Sequence, residues 1–213
     1  MSDFMKNPRK QSELRRRPAI DAIYNRVFPG CTIKRFDHGN DLILDVRFAI
    51  DVELKMPNGM ILLGQEKALG NEFARFRSVT VEYYQDPTIK EEGDWFKLAA
   101  QFLFCGYANI TDTEFNPWVI LDWAQVVEST RLNNIHWMIN KNKDGRARAN
   151  FKYTVMDKLP VSCILHSGGL AVPILMPKPV VKPRQMTLEP KLRQPSLFEA
   201  VPQASEKKSS VTP

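Results

Sequence analysis

The chain has 213 residues, with 30 Lys and Arg against 24 Asp and Glu, a formal charge of +6 and 43% hydrophobic residues. That length accommodates one ordinary domain with a tail and buries a core without staples; no apolar run is long enough for a membrane, and the N-terminus has no signal-peptide pattern, so a soluble, cytoplasmic protein is expected. Cys31, Cys105 and Cys163 are widely spaced, which argues against a disulfide framework; Cys163-x-x-His166 is half a zinc site at most, and the positive charge favours an acidic polymer as partner.

Residues 1–17 are polar and basic without an apolar period, so a flexible basic arm is expected there, carrying Arg15, Arg16 and Arg17. Residues 18–28 place Ile20, Ile23, Tyr24, Val27 and Phe28 on one helical stripe, with Pro18 at the start and Pro29-Gly30 at the stop. Asp21 sits beside the stripe, where the helix dipole favours an acid. Residues 32–36 predict a short strand, 37–40 a turn, and 41–48 a second extended segment with Leu42, Leu44, Val46 and Phe48 on one side and Ile43, Asp45 and Arg47 on the other.

Residues 50–67 form the stretch on which the chain turns. Two apolar-rich runs flank Pro57-Asn58-Gly59, a strong hairpin signal. A two-residue Asn58-Gly59 loop asks Pro57 for an amide hydrogen it lacks, whereas a three-residue loop welcomes Pro57 and Asn58 in a type I turn and Gly59 in the left-handed position after it. Met56 then faces Met60, and counting outward Asp51 faces Gln65, with Lys67 on the same side as Gln65. If the register slips by one, Glu66 takes the place of Gln65. An acid, an amide oxygen and an ammonium in this arrangement suit metal-dependent phosphodiester cleavage: the oxygens are hard ligands for Mg2+ or Mn2+, and the lysine orients the attacking water and stabilises phosphate charge.

These residues resemble the PD-(D/E)XK nuclease superfamily, with Asp51 as the aspartate and Gln65-Glu66-Lys67 as a Gln-x-Lys version of the (D/E)-x-K element. Gln65 departs from the usual acid and supplies one negative charge fewer, a variant some members carry. The resemblance implies an α+β, restriction-endonuclease-like fold, a central mixed β-sheet flanked by helices, over residues 18–172. It implies catalytic roles for Asp51, Gln65 and Lys67, with Glu66 as the rival, and metal ligands Asp51 and Gln65; Asp45, six residues before Asp51, either shares the site as a secondary ligand or pairs with Arg47 or Arg35. Many members carry an extra acid on the helix before the sheet, which makes Asp21 a candidate outer ligand. Many also dimerise, so a second copy is a further candidate partner.

Residues 77–85 alternate as a strand of high β propensity, with Glu82 either a reserve ligand or a surface acid, and 86–94 read as an acidic loop. Residues 95–107 are apolar on most sides and predict a buried helix. On it Gln101 and Tyr107 loosely match a Gln and a Tyr that some nucleases of the superfamily hold near DNA; a satisfied core glutamine is the alternative. Residues 118–122 read as a buried strand and 123–130 as helix. Residues 135–155 predict a second hairpin with an Asp-Gly turn whose basic tip, Lys141, Lys143, Arg146 and Arg148, either grips a DNA backbone or protects an edge.

Residues 173–213 are rich in Pro, Lys, Arg and Ser and are expected to be a disordered tail. Within it Gln194-Pro195-Ser196-Leu197-Phe198 resembles the bacterial sliding-clamp-binding pentapeptide, with Gln194 for the polar subpocket and Leu197 and Phe198 for the apolar one; Pro195 departs from the usual Leu. Together the resemblances imply a clamp-tethered DNA nuclease of bacterial, phage or mobile-element replication, repair or recombination. A non-catalytic DNA-binding accessory factor on the same fold is the alternative.

Overall fold

The computed structural model of the chain describes residues 8–37, 41–140 and 149–170. All lie in the first of the two units into which the chain divides, Met1–Ile174. In chain order the elements are α1 (Pro8–Val27), β1 (Thr32–Arg35), α2 (Leu42–Phe48), β2 (Val52–Lys55), β3 (Ile61–Leu69), β4 (Ser78–Asp86), β5 (Glu91–Glu92), α3 (Asp94–Lys97), β6 (Phe102–Ala108), β7 (Phe115–Asp122), α4 (Trp123–Arg131), β8 (Met138–Ile139), β9 (Asn150–Val155) and β10 (Ile164–Gly168). Short 3-10 turns follow β3 (Asn71–Phe76) and β9 (Met156–Lys158).

Six strands form one sheet in the order β1-β2-β3-β6-β7-β10, and four form a second, β5-β4-β9-β8. In the larger sheet every pair is antiparallel except β3 with β6, which run parallel. The chain is therefore α+β with a mixed central sheet. Among the described residues no helix is long and apolar enough to cross a membrane.

Because side chains alternate along a strand, β6 and β7 feed two cores. Phe102, Phe104, Trp118 and Ile120 pack with Val52 and Leu54 against Ile20, Ile23 and Tyr24 of α1. Leu103, Cys105, Tyr107, Val119 and Leu121 pack on the other side against Val79 and Val81 of β4, Val126 of α4 and Met156. Every residue of β6 is buried. That explains why residues 95–107 are not the expected helix: a strand covered on both faces is an unbroken apolar run, which periodicity does not separate from a buried helix. Only Asp94–Lys97 is helical there.

The hairpin adopts the three-residue loop. Val52 faces Gly64 and Lys55 faces Ile61, the register that the three-residue loop requires; beyond Val52 the Asp51 amide donates to the Gly64 carbonyl at 2.8 Å, so the expected Asp51–Gln65 pair is not part of the ladder. The Met56 amide donates to the Met60 carbonyl at 2.8 Å, Gly59 takes φ +83°, and Asn58 Oδ1 accepts from the Met60 amide at 3.0 Å. Gly64 has a further reason to be glycine, since a Cβ there would stand 2.1 Å from the Phe102 ring.

Two other expectations are corrected. Residues 8–17 are not a loose arm but the first half of α1, which continues through Pro18. Ion pairs rather than an apolar stripe hold that half: Arg15 and Arg16 bind Asp112, Arg16 also reaches the Ala68 carbonyl, and Arg17 pairs with Asp37. Residues 42–48 are helical rather than extended, because β1 pairs with β2 alone and the segment meets its backbone hydrogen bonds internally. It ends at Ala49 with φ 49°, whose amide donates to the Asp45 carbonyl. The strands at residues 78–86 and 115–122 and the helix at 123–131 agree with expectation. β8 and β9 pair antiparallel as the second hairpin requires, with Met138 opposite Tyr153.

Candidate active site

β2 and β3 part after the Val52 and Gly64 pair, leaving the amides beyond it without a β2 partner strand. The Asp51 side chain fills that place, its Oδ2 accepting from the Glu66 amide at 2.7 Å. Alternation along β3 then sends Gln65 and Lys67 to one side and Glu66 to the other. Gln65 is buried, 2% exposed, and its Nε2 donates to Asp94 Oδ2 at 3.3 Å. Lys67 Nζ donates to the same oxygen at 2.6 Å. Lys97, one turn along α3 from Asp94, lies 3.9 Å from its other oxygen and donates to the Val46 carbonyl.

Burial pulls the Lys67 pKa down, but Asp94, Asp51 and Glu82 outweigh it and leave the ammonium above the ordinary lysine value. Lys67 is thus charged at neutral pH. It can donate hydrogen bonds to a water or a phosphate oxygen, and it is no general base there.

Glu66 has a different setting. Its carboxylate accepts from Arg35 Nε and Nη2 at 3.1 and 3.0 Å, and Arg35 also holds Asp21 at 2.7 Å. Burial lowers the Arg35 pKa and the two acids raise it, with a net upward shift. Tyr24 lies against this group, its hydroxyl buried beside Glu66 and its pKa raised by burial and by Glu66. The observed register therefore places Gln65, not Glu66, beside Lys67. Asp21 belongs to the Arg35 group on the Glu66 side.

The oxygens near Lys67 fit a hard divalent cation. Gln65 Oε1 is buried with no hydrogen-bond partner, and an orphaned carbonyl oxygen costs stability unless something binds it. Asp51 keeps one carboxylate oxygen beyond its bond to Glu66, and Asp94 accepts from Gln65 Nε2. Among the described residues no three His, Cys, Asp or Glu side chains group as a metal cage, so a cation here would draw on the Gln65 amide. Asp45 lies on α2, in its first turn.

Asp94 was not singled out in the sequence. The available signal is its place where the acidic 86–94 stretch meets the apolar run, a usual position for an acid opening a helix. Gln101 and Tyr107 take other roles than the helical pairing expected. Gln101 Oε1 accepts from the Leu63 amide at 2.7 Å, and the buried Tyr107 hydroxyl binds Ser78 through the amide at 2.9 Å and the carbonyl at 2.6 Å. Arg15, Arg16 and Arg17 are engaged with Asp112 and Asp37, as described. Cys163 Sγ lies 3.2 Å from Ser129 Oγ while His166 stands edge-on to Phe28, so the two form no zinc half-site. Lys141, Lys143, Arg146 and Arg148, and Gln194, Leu197 and Phe198, lie outside the described residues.

A cavity of about 660 Å³ is lined by Phe28, Leu62, Phe102 and Trp123. It is apolar and includes none of Asp51, Gln65, Lys67 or Asp94.

No family model, no curated protein and no solved structure matches the chain.

Proposed function

We propose that the chain is a metal-dependent DNA nuclease of the PD-(D/E)XK type, with a restriction-endonuclease-like core and a C-terminal segment that moors it to a bacterial sliding clamp. The observation that carries the reading is the side of β3 on which Gln65, with its unpartnered buried oxygen, and Lys67 share Asp94, with the Asp51 carboxylate bound to the Glu66 amide between them in sequence. Asp51, Gln65 Oε1 and Asp94 are the groups that would hold Mg2+ or Mn2+. When bound, the ion supplies Lewis-acid polarisation of the phosphoryl group and neutralises developing charge. Lys67 contributes a permanent ammonium that orients the attacking water and donates to the phosphate. Asp94 holds that ammonium in place, and its partial neutralisation by Lys67 makes room for a nucleic-acid phosphate. Docking through Gln194, Leu197 and Phe198 would raise the local concentration of DNA without new contacts to the core.

The test is cleavage of labelled single-stranded, double-stranded and branched DNA with Mg2+ or Mn2+. Wild type is expected to cut at least one, and Lys67→Ala and Asp51→Ala to lose about 100-fold or more. The 2.6 Å Lys67–Asp94 pair favours a second reading, a DNA-binding accessory factor whose lysine is committed to a structural ion pair. That reading is upheld if all three DNAs are bound and none is cut.

A further inference from the structure

Consecutive strand residues ordinarily project to opposite faces, yet the rings of Tyr83 and Tyr84 have centroids 4.4 Å apart. The cause is local. The register of β4 shifts against β9 between Glu82 and Tyr84, and against β5 between Tyr84 and Asp86, and such bulges re-aim side chains. Phe96 of α3 stacks on both rings, 4.9 Å from Tyr83 at an interplanar angle of 30° and 5.6 Å from Tyr84 at 24°. Phe96 is 43% exposed, and the three rings stand apart from the apolar clusters of the core. Lys152 Nζ lies 4.6 Å from the Tyr83 ring centroid and 3.9 Å from that of Trp95.

A partly exposed stack of aromatic rings with an ammonium over one of them is what unpaired bases recognise: every base has a π-face, and the cation serves the phosphate that follows. Phe96 is two residues from Asp94, so one ring of the stack and the partner of Lys67 share the same short helix. Glu91 and Glu92 flank the opposite, β5 side and repel a backbone there.

We propose that Tyr83, Tyr84 and Phe96 form a stacking platform for the bases of a single DNA strand, whose phosphates run on the side of Lys152. The choice of DNA as the occupant rests on the nuclease reading; the stacking itself does not. An apolar peptide would gain little from the ring faces that a base does not gain, and it has no use for the ammonium.

The test compares binding of the full chain, by fluorescence anisotropy in EDTA at fixed salt, to oligothymidylate and to an abasic strand with the same phosphates, each about a dozen nucleotides long. Wild type is expected to prefer thymidylate by about tenfold. Tyr84→Leu and Phe96→Leu should bring the two strands close to parity, while Tyr84→Phe and Phe96→Tyr, which keep the ring faces, retain the preference. Parity in the wild type, or an undiminished preference in both leucine variants, overturns the proposal. Base preference without cleavage would leave the platform standing and remove the nuclease; cleavage without base preference would do the reverse.

Discussion

Glu66 is a carboxylate whose burial raises its proton affinity above the ordinary glutamate value, with the Arg35 guanidinium opposing the shift. Arg35 is the cation that offsets this burial. Arg35→Leu leaves Glu66 buried without its cationic partner and is expected to lower the unfolding free energy by about 3–5 kcal/mol in urea titration. Arg35→Leu combined with Glu66→Leu should recover most of the loss, because Asp21 is 35% exposed and can turn to water. Equal losses in the single and the double variant would show that Arg35 acts through packing instead. Gln65 is its neighbour in sequence and its opposite in setting. The division was legible from the hairpin, since turn chemistry at Pro57-Asn58-Gly59 sets the register and the register sets the face. Asp94 was not legible, because nothing local tells where a residue beyond two intervening strands will return to β3.

The first half of α1 shows how ion pairs extend an element that has no apolar stripe. Arg15 and Arg16 converge on Asp112, which has φ 58° in the turn between β6 and β7. Burial raises the Asp112 pKa, but the two arginines outweigh it and hold the carboxyl below the usual aspartate range. A depressed carboxylate adds stability above its unfolded value and loses it as the pH falls through its folded one. Asp112→Asn, which tolerates the left-handed backbone, is therefore expected to melt lower than wild type at neutral pH by roughly 1 kcal/mol, the Arg15 pair being largely screened by solvent. The gap should close below about pH 4; a gap that persists unchanged into acid would mean that the pairs do not tie the helix down. These contacts join residues about a hundred positions apart, so composition alone made residues 8–17 look like an arm. The buried β6 was misread for a related reason: its two cores are supplied by other segments, and the strand itself carries only hydrophobicity.

Among the described residues, a helix and a second sheet pack against the two faces of a mixed sheet, and Gln65 and Lys67 lie on β3 beyond the point where β2 departs. The sheet class and the hairpin at its centre were readable from pattern and turn residues; the second sheet was not, because β4 and β9 pair across about seventy residues. Gln65 connects stability to function. An orphaned buried carbonyl costs roughly 1–3 kcal/mol, so Gln65→Leu should leave the fold at least as stable as wild type while removing a ligand. The most direct measurement is the rate of DNA cleavage against Mn2+ concentration for the wild type and Gln65→Leu, with thermal melting of both. A saturable metal dependence in the wild type, lost or shifted to far higher Mn2+ in a Gln65→Leu protein that melts no lower, is the predicted result. Cleavage that is independent of metal, or a Gln65→Leu curve that overlays the wild type, would contradict the site.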